Sequence, residues 1–303
     1  MKKLLITNLF VLTFSVVFAQ GDSTSTPKQR KVKHNFQAGF NLNQSTFSDN
    51  WTSGGFNSYA FGGFTNYVAK FKTKNWDFTS DLQIQLGFQE IQNEGRRKNA
   101  DRLFYDFKAG YMINKKWNFF ASMNFLSQFI EGYDHKTKSA IEPSKDSLIS
   151  ALFAPAYLTS SIGLEYKPLE YLWMRFGAGT LRQTIVLDER ISNAGLYGLK
   201  KPGDKLRNQA VLQFIANFDK NLAQNVNLKL RYMSNFDYIK ATELGGGMEN
   251  SIVHIFNANL TLKATKYIST NLQINVIKDP DQDKNTQFSQ ILSLGVVYSL
   301  SRE

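Results

Sequence analysis

The chain of 303 residues contains no cysteine. A disulfide framework and lipid attachment to a cysteine are therefore excluded. Histidine is also scarce, at three residues, and without cysteine or paired histidines a zinc site is not expected. Beyond the N-terminal segment, no apolar run approaches the roughly 20 residues that a membrane-spanning helix needs. These absences argue against a disulfide-stapled secreted fold and against a helical membrane protein.

The N-terminus has the three parts of a secretory signal peptide. Lys2 and Lys3 precede an apolar run over residues 4–18, and the small residue Ala19 lies before the expected cut. A helical anchor is the alternative, but the run is short for a bilayer span. Residues 20–34 are mainly polar and predict a flexible periplasmic leader. The net charge of +11 raises nucleic acid as a partner, but an exported protein is not expected to meet it.

The stretch WDFTSDLQIQLGFQ, residues 76–89, alternates apolar or small residues with polar residues or glycine. A period of two is typical of a β-strand. Similar rows recur from residue 36 to residue 300 and predict about twelve strands. Short turns alternate with longer connections, a pattern of outer-membrane barrels. The longer connections are predicted at residues 48–57, 90–101, 133–155, 188–207, 238–251 and 279–287.

The composition of the two faces indicates which one meets lipid. The polar rows hold mostly Asn, Gln, Ser, Thr and Gly, whereas a water-facing row of a soluble sandwich would be rich in Lys and Glu. Aromatic residues, among them Trp76, Tyr111, Trp117 and Tyr166, gather beside the short turns. Amphipathic rings favour the headgroup boundary. The apolar face is therefore expected to point at lipid.

These patterns predict an all-β fold, a transmembrane antiparallel up-and-down β-barrel of about 12 strands over residues 35–303. Closure is required because open edges in hydrocarbon would leave backbone groups unpaired. We expect an outer-membrane location, with periplasmic termini and extracellular long loops. The expected partners are outer-membrane lipids, the barrel-assembly machinery during insertion and other outer-membrane proteins. A secreted sandwich or a lipocalin-like barrel is the alternative.

Four stretches in this order resemble a Bacteroidota outer-membrane β-barrel family described as domain of unknown function 3078. They are NWTSGG at residues 50–55, RKNADRLFYDFKAGY at 97–111, SQFIEGY at 127–133 and APAYLTSSIGLEY at 154–166. The resemblance implies a membrane barrel and brings no established activity, so no functional residue is carried over.

Chemistry-bearing clusters are few. A hydrolase would need a His and a Ser side by side, and none of His34, His135 and His254 has a Ser two positions away. We interpret Glu131, Asp134 and His135 as solvated residues of a loop at the barrel mouth and not as a catalytic cluster. The acidic run at residues 279–283 lacks the glycine and the later glutamate of a calcium loop. We therefore predict no enzyme activity, no cofactor and no metal.

Charged residues on the polar rows are the candidates for lining the lumen, the space inside the barrel. By parity they are Asp77, Asp81, Asp106, Lys108, Arg175, Arg182, Lys229 and Arg231. Ionised groups in a narrow barrel must pair, hydrate or both. They can form a salt-bridged plug or a passage whose charge selects solutes.

The third long connection is the candidate for a mouth plug or a partner contact. Leu148, Ile149, Leu152 and Phe153 have helical spacing there, and Trp51 in a tight turn can tuck into the mouth. The function expected from the sequence is a non-enzymatic scaffold, or a subunit of an outer-membrane assembly, with a plugged or narrow lumen. A small-solute channel is the alternative, followed by an outer-membrane hydrolase.

Overall fold

The structure is a computed structural model that describes residues 32–45, 58–91, 95–138, 146–243, 248–281 and 285–302. The predicted signal peptide, most of the predicted leader and Trp51 lie outside the described residues. The first strand begins at Val32, so paired backbone already starts within the stretch of residues 20–34.

Fourteen strands and three short helical segments follow one another along the described chain. The strands are β1 (Val32–Ser45), β2 (Ser58–Lys72), β3 (Trp76–Ile91), β4 (Gly95–Met112), β5 (Trp117–Ser127), β6 (Gly132–Lys138), β7 (Asp146–Ser150), β8 (Ala156–Leu169), β9 (Leu172–Ile185), β10 (Leu206–Ala223), β11 (Val226–Asp237), β12 (Ile252–Lys263), β13 (Ile268–Lys278) and β14 (Gln287–Arg302). The helical segments are α1 (Glu189–Asn193), α2 (Tyr238–Glu243) and a 3-10 turn (Met248–Ser251). None of the helices in the described ranges is long and apolar enough to cross a membrane.

Twelve of the strands form one closed antiparallel barrel in which neighbours in sequence are neighbours in the sheet. Strand β5 is followed in the barrel by β8, because β6 and β7 pair with each other as a separate two-stranded sheet. Strands β1 and β14 close the barrel, with His34 opposite Arg302 at one end and Leu42 opposite Leu294 at the other. Closure gives each barrel strand a partner on both sides, as hydrocarbon requires. The predicted up-and-down barrel of about twelve strands is confirmed.

The barrel strands are 11 to 18 residues long, whereas a tilted strand needs about nine to eleven residues to cross a membrane. The connection predicted at residues 90–101 is wrong, because β3 runs to Ile91 and β4 begins at Gly95. A bulge between Gly87 and Phe88 absorbs an extra residue, and the ladder continues. The guanidinium of Arg96 lies 5.9 Å from the ring centre of Phe88. This basic residue therefore packs on an aromatic ring in the part of the β3–β4 ladder that lies beyond the bulge.

Residue burial is inverted relative to a water-soluble protein. Large apolar side chains are exposed, among them Phe288 at 65%, Leu292 at 62% and Ile162 at 61%, whereas Lys108 is 1% and Glu165 0% exposed. Soluble proteins almost never bury charges while exposing a continuous apolar surface. The apolar rows therefore face lipid, and the barrel is a transmembrane one.

Aromatic rings pack against one another at the end of the barrel that carries the short turns. The ring of Trp76 lies 5.2 Å from that of Tyr111, and the ring of Trp117 lies 4.6 Å from that of Tyr166. All four belong to outward rows next to a turn. They form the aromatic belt expected at one membrane interface.

The third long connection contains a β-hairpin where helical spacing predicted a helix. Strand β7 covers Leu148 and Ile149, and Tyr133 in β6 pairs with Leu148. The helix prediction is wrong here because β6 supplies backbone partners, and pairing decides the conformation of a short apolar segment.

Candidate functional site in the barrel lumen

The lumen is the candidate site because the buried charges of the described residues meet there. Of the eight lumen candidates, Asp106, Lys108, Arg175 and Arg182 are buried. Asp77, Asp81 and Arg231 are partly exposed, and Lys229 is exposed. Their part in any passage stays a prediction, but the contacts of each are defined.

A buried carboxylate that sequence parity could have found lies at the centre of one wall. Glu165 in β8 is fully buried. It accepts a hydrogen bond of 2.8 Å from Lys108 Nζ and one of 2.7 Å from Arg175 Nε. Asn118 Nδ2 donates to it at 3.1 Å, and Lys167 Nζ lies 2.9 Å away. Glu165 lies between Leu164 and Tyr166 of the outward row, so the alternation along the strand already indicates that its side chain points inward.

Two further carboxylates extend this charge network. Asp77 in β3 pairs with Lys108 at 3.0 Å and also with Lys167. Asp106 in β4 lies 3.7 Å from Arg175. The guanidinium of Arg175 also lies 4.2 Å from the ring centre of Trp173. The network joins β3, β4, β8 and β9, so it braces one wall of the barrel with charge-assisted bonds.

The wall formed by β10 to β13 is lined by amides and hydroxyls. Gln213 Nε2 donates to Asn235 Oδ1 at 3.0 Å, and Asn257 Nδ2 donates to Asn275 Oδ1 at 2.8 Å. Thr261 donates to an amide oxygen of β13 at 2.8 Å. Near the short turns, Lys229 is exposed and pairs with Asp219. This wall offers neutral hydrogen-bonding groups to a polar solute.

The lumen is crossed near mid-height by an arginine. Arg231 lies in the middle of β11, and its guanidinium is 5.6 Å from the ring centre of Phe104 in β4. Five steps in the strand order separate β11 from β4 in the twelve-stranded barrel, so the two residues belong to almost opposite walls. Arg102 places a second guanidinium 5.0 Å from the same ring centre. The described lumen is therefore narrow at this level.

A second crossing lies at the end with the long loops. The turn after β13 brings Asp279 within 3.8 Å of Arg182 in β9, four steps away in the strand order. Asp281 accepts hydrogen bonds of 2.8 Å from Arg207 and 2.7 Å from Lys240. We call this set the mouth bridge. Burial alone would raise the pKa of Asp281, but the bond from Lys240 and the charge of Arg207 outweigh it and hold the pKa below its usual range.

The acidic run thus binds basic side chains rather than presenting a cage of free oxygens. Asp279 and Asp281 both have cationic neighbours, and Asp283 lies outside the described residues. Among the residues with defined positions, no group of three acidic or histidine side chains could hold a metal ion.

The long loops after β5 and β9 pack together as a cap with a small apolar core. Its buried members are Ala151, Ala154, Val186, Ile191 and Leu199, with Leu148, Leu196 and Tyr197 packed against them. The ring of Phe153 lies 5.9 Å from that of Phe125 on the lipid-facing row, and Ile149 and Leu152 are exposed. These four predicted plug or partner residues therefore contact the cap and the outer rim. Their role as a mouth plug or a partner contact stays a prediction.

The rim carboxylate considered for catalysis is tied into an ion cluster. Arg190 Nη2 lies 2.6 Å from Glu131 and 2.7 Å from Asp188. The Tyr133 hydroxyl and then Arg190 lower the pKa of Glu131 through hydrogen bonds. Glu131 is therefore held in its charged form as an ion-pair partner. The side chain of His135 lies outside the described residues.

Both described histidines bond to tyrosines on the outer rows. His34 Nδ1 lies 2.7 Å from the Tyr67 hydroxyl, and His254 Nδ1 lies 2.8 Å from the Tyr232 hydroxyl. Ser234 stands directly opposite His254 in the ladder, a cross-strand neighbour that spacing along one strand could not reveal. The imidazole contacts the tyrosine and not this serine, so the described geometry forms no Ser–His pair for acyl transfer.

Fold and interior together define a closed transmembrane β-barrel of the outer-membrane type with a polar, charge-lined lumen. Residues 42–133 match the family described as "Protein of unknown function (DUF3078)", which confirms the family resemblance for the segment from the end of β1 through β5. The stretch at residues 154–166 that also suggested the family lies beyond this match. No protein with a curated description matches the sequence.

Three solved structures with a similar course of the chain are outer-membrane channels or porins. An outer-membrane channel from Pseudomonas putida F1 has a TM-score of 0.40 and 9% identity, covering 92% of this chain and 100% of that one. The NanC porin has a TM-score of 0.38 and 7% identity, covering 89% and 100%. The outer-membrane channel DcaP of Acinetobacter baumannii has a TM-score of 0.32 and 9% identity, covering 89% and 96%.

Proposed function

We propose that the protein is an outer-membrane barrel whose lumen serves as a narrow passage for small polar solutes, crossed by side chains at two levels in the structure. The observation that carries the proposal is which groups cross the lumen at these two levels. Within the described ranges, the mid-height crossing is made by the side chains of Arg231 and Phe104. The mouth bridge is made by ion pairs between the connection after β13 and basic side chains of the barrel and its loops. Side chains and a surface turn move on fast timescales compared with a folded domain. Such closure is reversible without unfolding the barrel.

The lining supports small, polar cargo. A barrel of this strand number lies between those filled by side chains and those with wide water channels. One wall carries a charge network centred on Glu165, and the other carries amides such as Asn257 and Asn275. A polar solute leaving water can exchange its hydrogen bonds with these groups. We place both termini and the short turns on the periplasmic side and the loop cap outside.

Planar-bilayer recording on the purified full chain tests this proposal. Discrete current steps are expected, with small conductance because the crossing at Phe104 narrows the lumen. Variant Phe104→Ala removes the ring that meets Arg231 and should raise the step size, whereas Phe125→Ala, on the lipid-facing row, should leave it unchanged. Absence of current over a wide voltage range, in the wild type and in Phe104→Ala, would contradict the proposal.

A scaffold or assembly subunit is the second candidate, and exposed apolar residues of the loop cap favour it. Ile149 and Leu152 are 37% and 52% exposed beyond the barrel end, where such residues often mark a contact. Extraction in mild detergent should then recover a fixed outer-membrane partner, and Leu152→Ser should release it. A solitary species in both cases would argue against this role.

A further inference from the structure

We propose that Arg102 and Arg231 form a binding site for a small oxyanion, a carboxylate or phosphate group, at the mid-height of the lumen. This site names the class of solute for the proposed passage. Its physiological meaning rests on that proposed function. The two guanidinium groups approach the Phe104 ring centre at 5.0 and 5.6 Å. Their separation is therefore no larger than the sum of these two distances. Each of the two charges therefore attracts an anion that binds beside the ring.

Neither guanidinium has an ionic partner among the residues that the structure describes. No carboxylate oxygen at a described position lies within the 4.0 Å of an ion pair from either group, and among these positions the buried Nε of Arg102 has no hydrogen-bond partner. The positive charge of Arg231 also acts unfavourably on Arg102. Two converging cations in a narrow lumen are costly unless an anion pairs with them. Lys108 and Arg175 differ from these two arginines, because they pair with carboxylates of the charge network centred on Glu165.

The nearest carboxylates are already engaged. Both oxygens of Asp81 accept from Gln83 Nε2, at 3.2 and 3.1 Å, although its charge acts on both arginines. Asp106 lies 3.7 Å from Arg175, and its charge also favours Arg231. Asp81 and Asp106 therefore offset part of the positive charge beside Phe104, but neither forms an ion pair with Arg102 or Arg231 among the described residues.

The chemistry of arginine selects the ligand class. A guanidinium presents a rigid planar fork that matches the two oxygens of a carboxylate or phosphate. Phe104 is 5% exposed and supports both forks by cation–π contact, which keeps them oriented. The amide wall offers hydrogen-bonding groups to a polar, uncharged remainder of the solute.

Two readouts on the full chain in detergent or bilayers test the inference. Calorimetric titration with sodium acetate and with sodium phosphate should show saturable binding of at least one anion. Binding should be about tenfold or more weaker in Arg102→Gln and in Arg231→Gln, the expected effect of losing a charged hydrogen-bond donor. In a salt gradient the reversal potential should show anion selectivity that both variants reduce. The control is Lys220→Gln, an exposed basic residue on the outward row of β10 whose Nζ lies 4.5 Å from the ring centre of Tyr171, and it should retain wild-type binding.

The outcomes separate this inference from the proposed passage. Saturable binding without current supports the site and contradicts the passage. Current with no saturable binding of either anion overturns the site and leaves the passage intact. Equal binding by wild type and both glutamine variants also overturns it. If a glutamine variant does not refold, Arg231→Lys keeps the charge and removes the fork, and undiminished affinity in that variant overturns the assignment.

Discussion

Replacing Glu165 by glutamine should destabilise the barrel strongly although it changes almost no volume. The carboxylate contacts Lys108, Lys167 and Arg175 at 2.7 to 2.9 Å and is fully buried. Removing one partner of a buried ion pair costs about 3 to 5 kcal/mol. Lys108 and Lys167 keep Asp77 as a partner, so we expect the lower end, about 3 kcal/mol, or roughly a hundredfold in the folding equilibrium. Urea-induced unfolding in lipid vesicles, followed by tryptophan fluorescence, measures this loss.

The control is the exposed pair of Asp219 and Lys229, whose nitrogen and oxygen lie 3.3 Å apart. Because both side chains are about half exposed, Asp219→Asn should cost less than about 1 kcal/mol. The double variant Glu165→Gln/Lys108→Met should lose less than the two single variants combined, since removing both ends leaves fewer unpaired charges. A loss below about 1 kcal/mol for Glu165→Gln would refute the view that this network stabilises the wall.

Two further predictions concern the mouth and the membrane interface. A carboxylate with a depressed pKa contributes stability above its unfolded pKa and loses it as the pH falls through the folded value, so closure by Asp281 should persist at neutral pH and fail only below about pH 4. The single-channel open time of the wild type should rise only in that acid range. Asp281→Asn loses the charge that Lys240 contacts, so its open time should already be raised at pH 7. In single-tryptophan variants, brominated lipids should quench Trp76 and Trp117 on the aromatic belt and spare Trp173, which stacks on a lumen arginine. Quenching of Trp173 equal to that of Trp117 would show that the assignment of faces is wrong.

Most of the fold was predictable because alternation acts locally. The alternation of polar and apolar residues along one strand is enough to assign its two faces. The row from Trp76 onward therefore predicted which side chains face lipid without knowledge of the neighbouring strands. The buried Glu165 was readable by the same rule. Short segments were not: Leu148 and Ile149 have helical spacing but form a strand, because β6 supplies a partner that spacing does not reveal.

The sequence by itself determined that a sealed cylinder forms, which side of each strand meets lipid and where the aromatic belt lies. These properties depend on the period of the backbone and on the cost of unpaired edges in hydrocarbon. Only the tertiary structure decided which charges meet across the lumen. Arg231 and Phe104 are far apart in the chain and lie on nearly opposite walls. Their contact follows from the diameter and stagger of the closed barrel, which no single strand encodes.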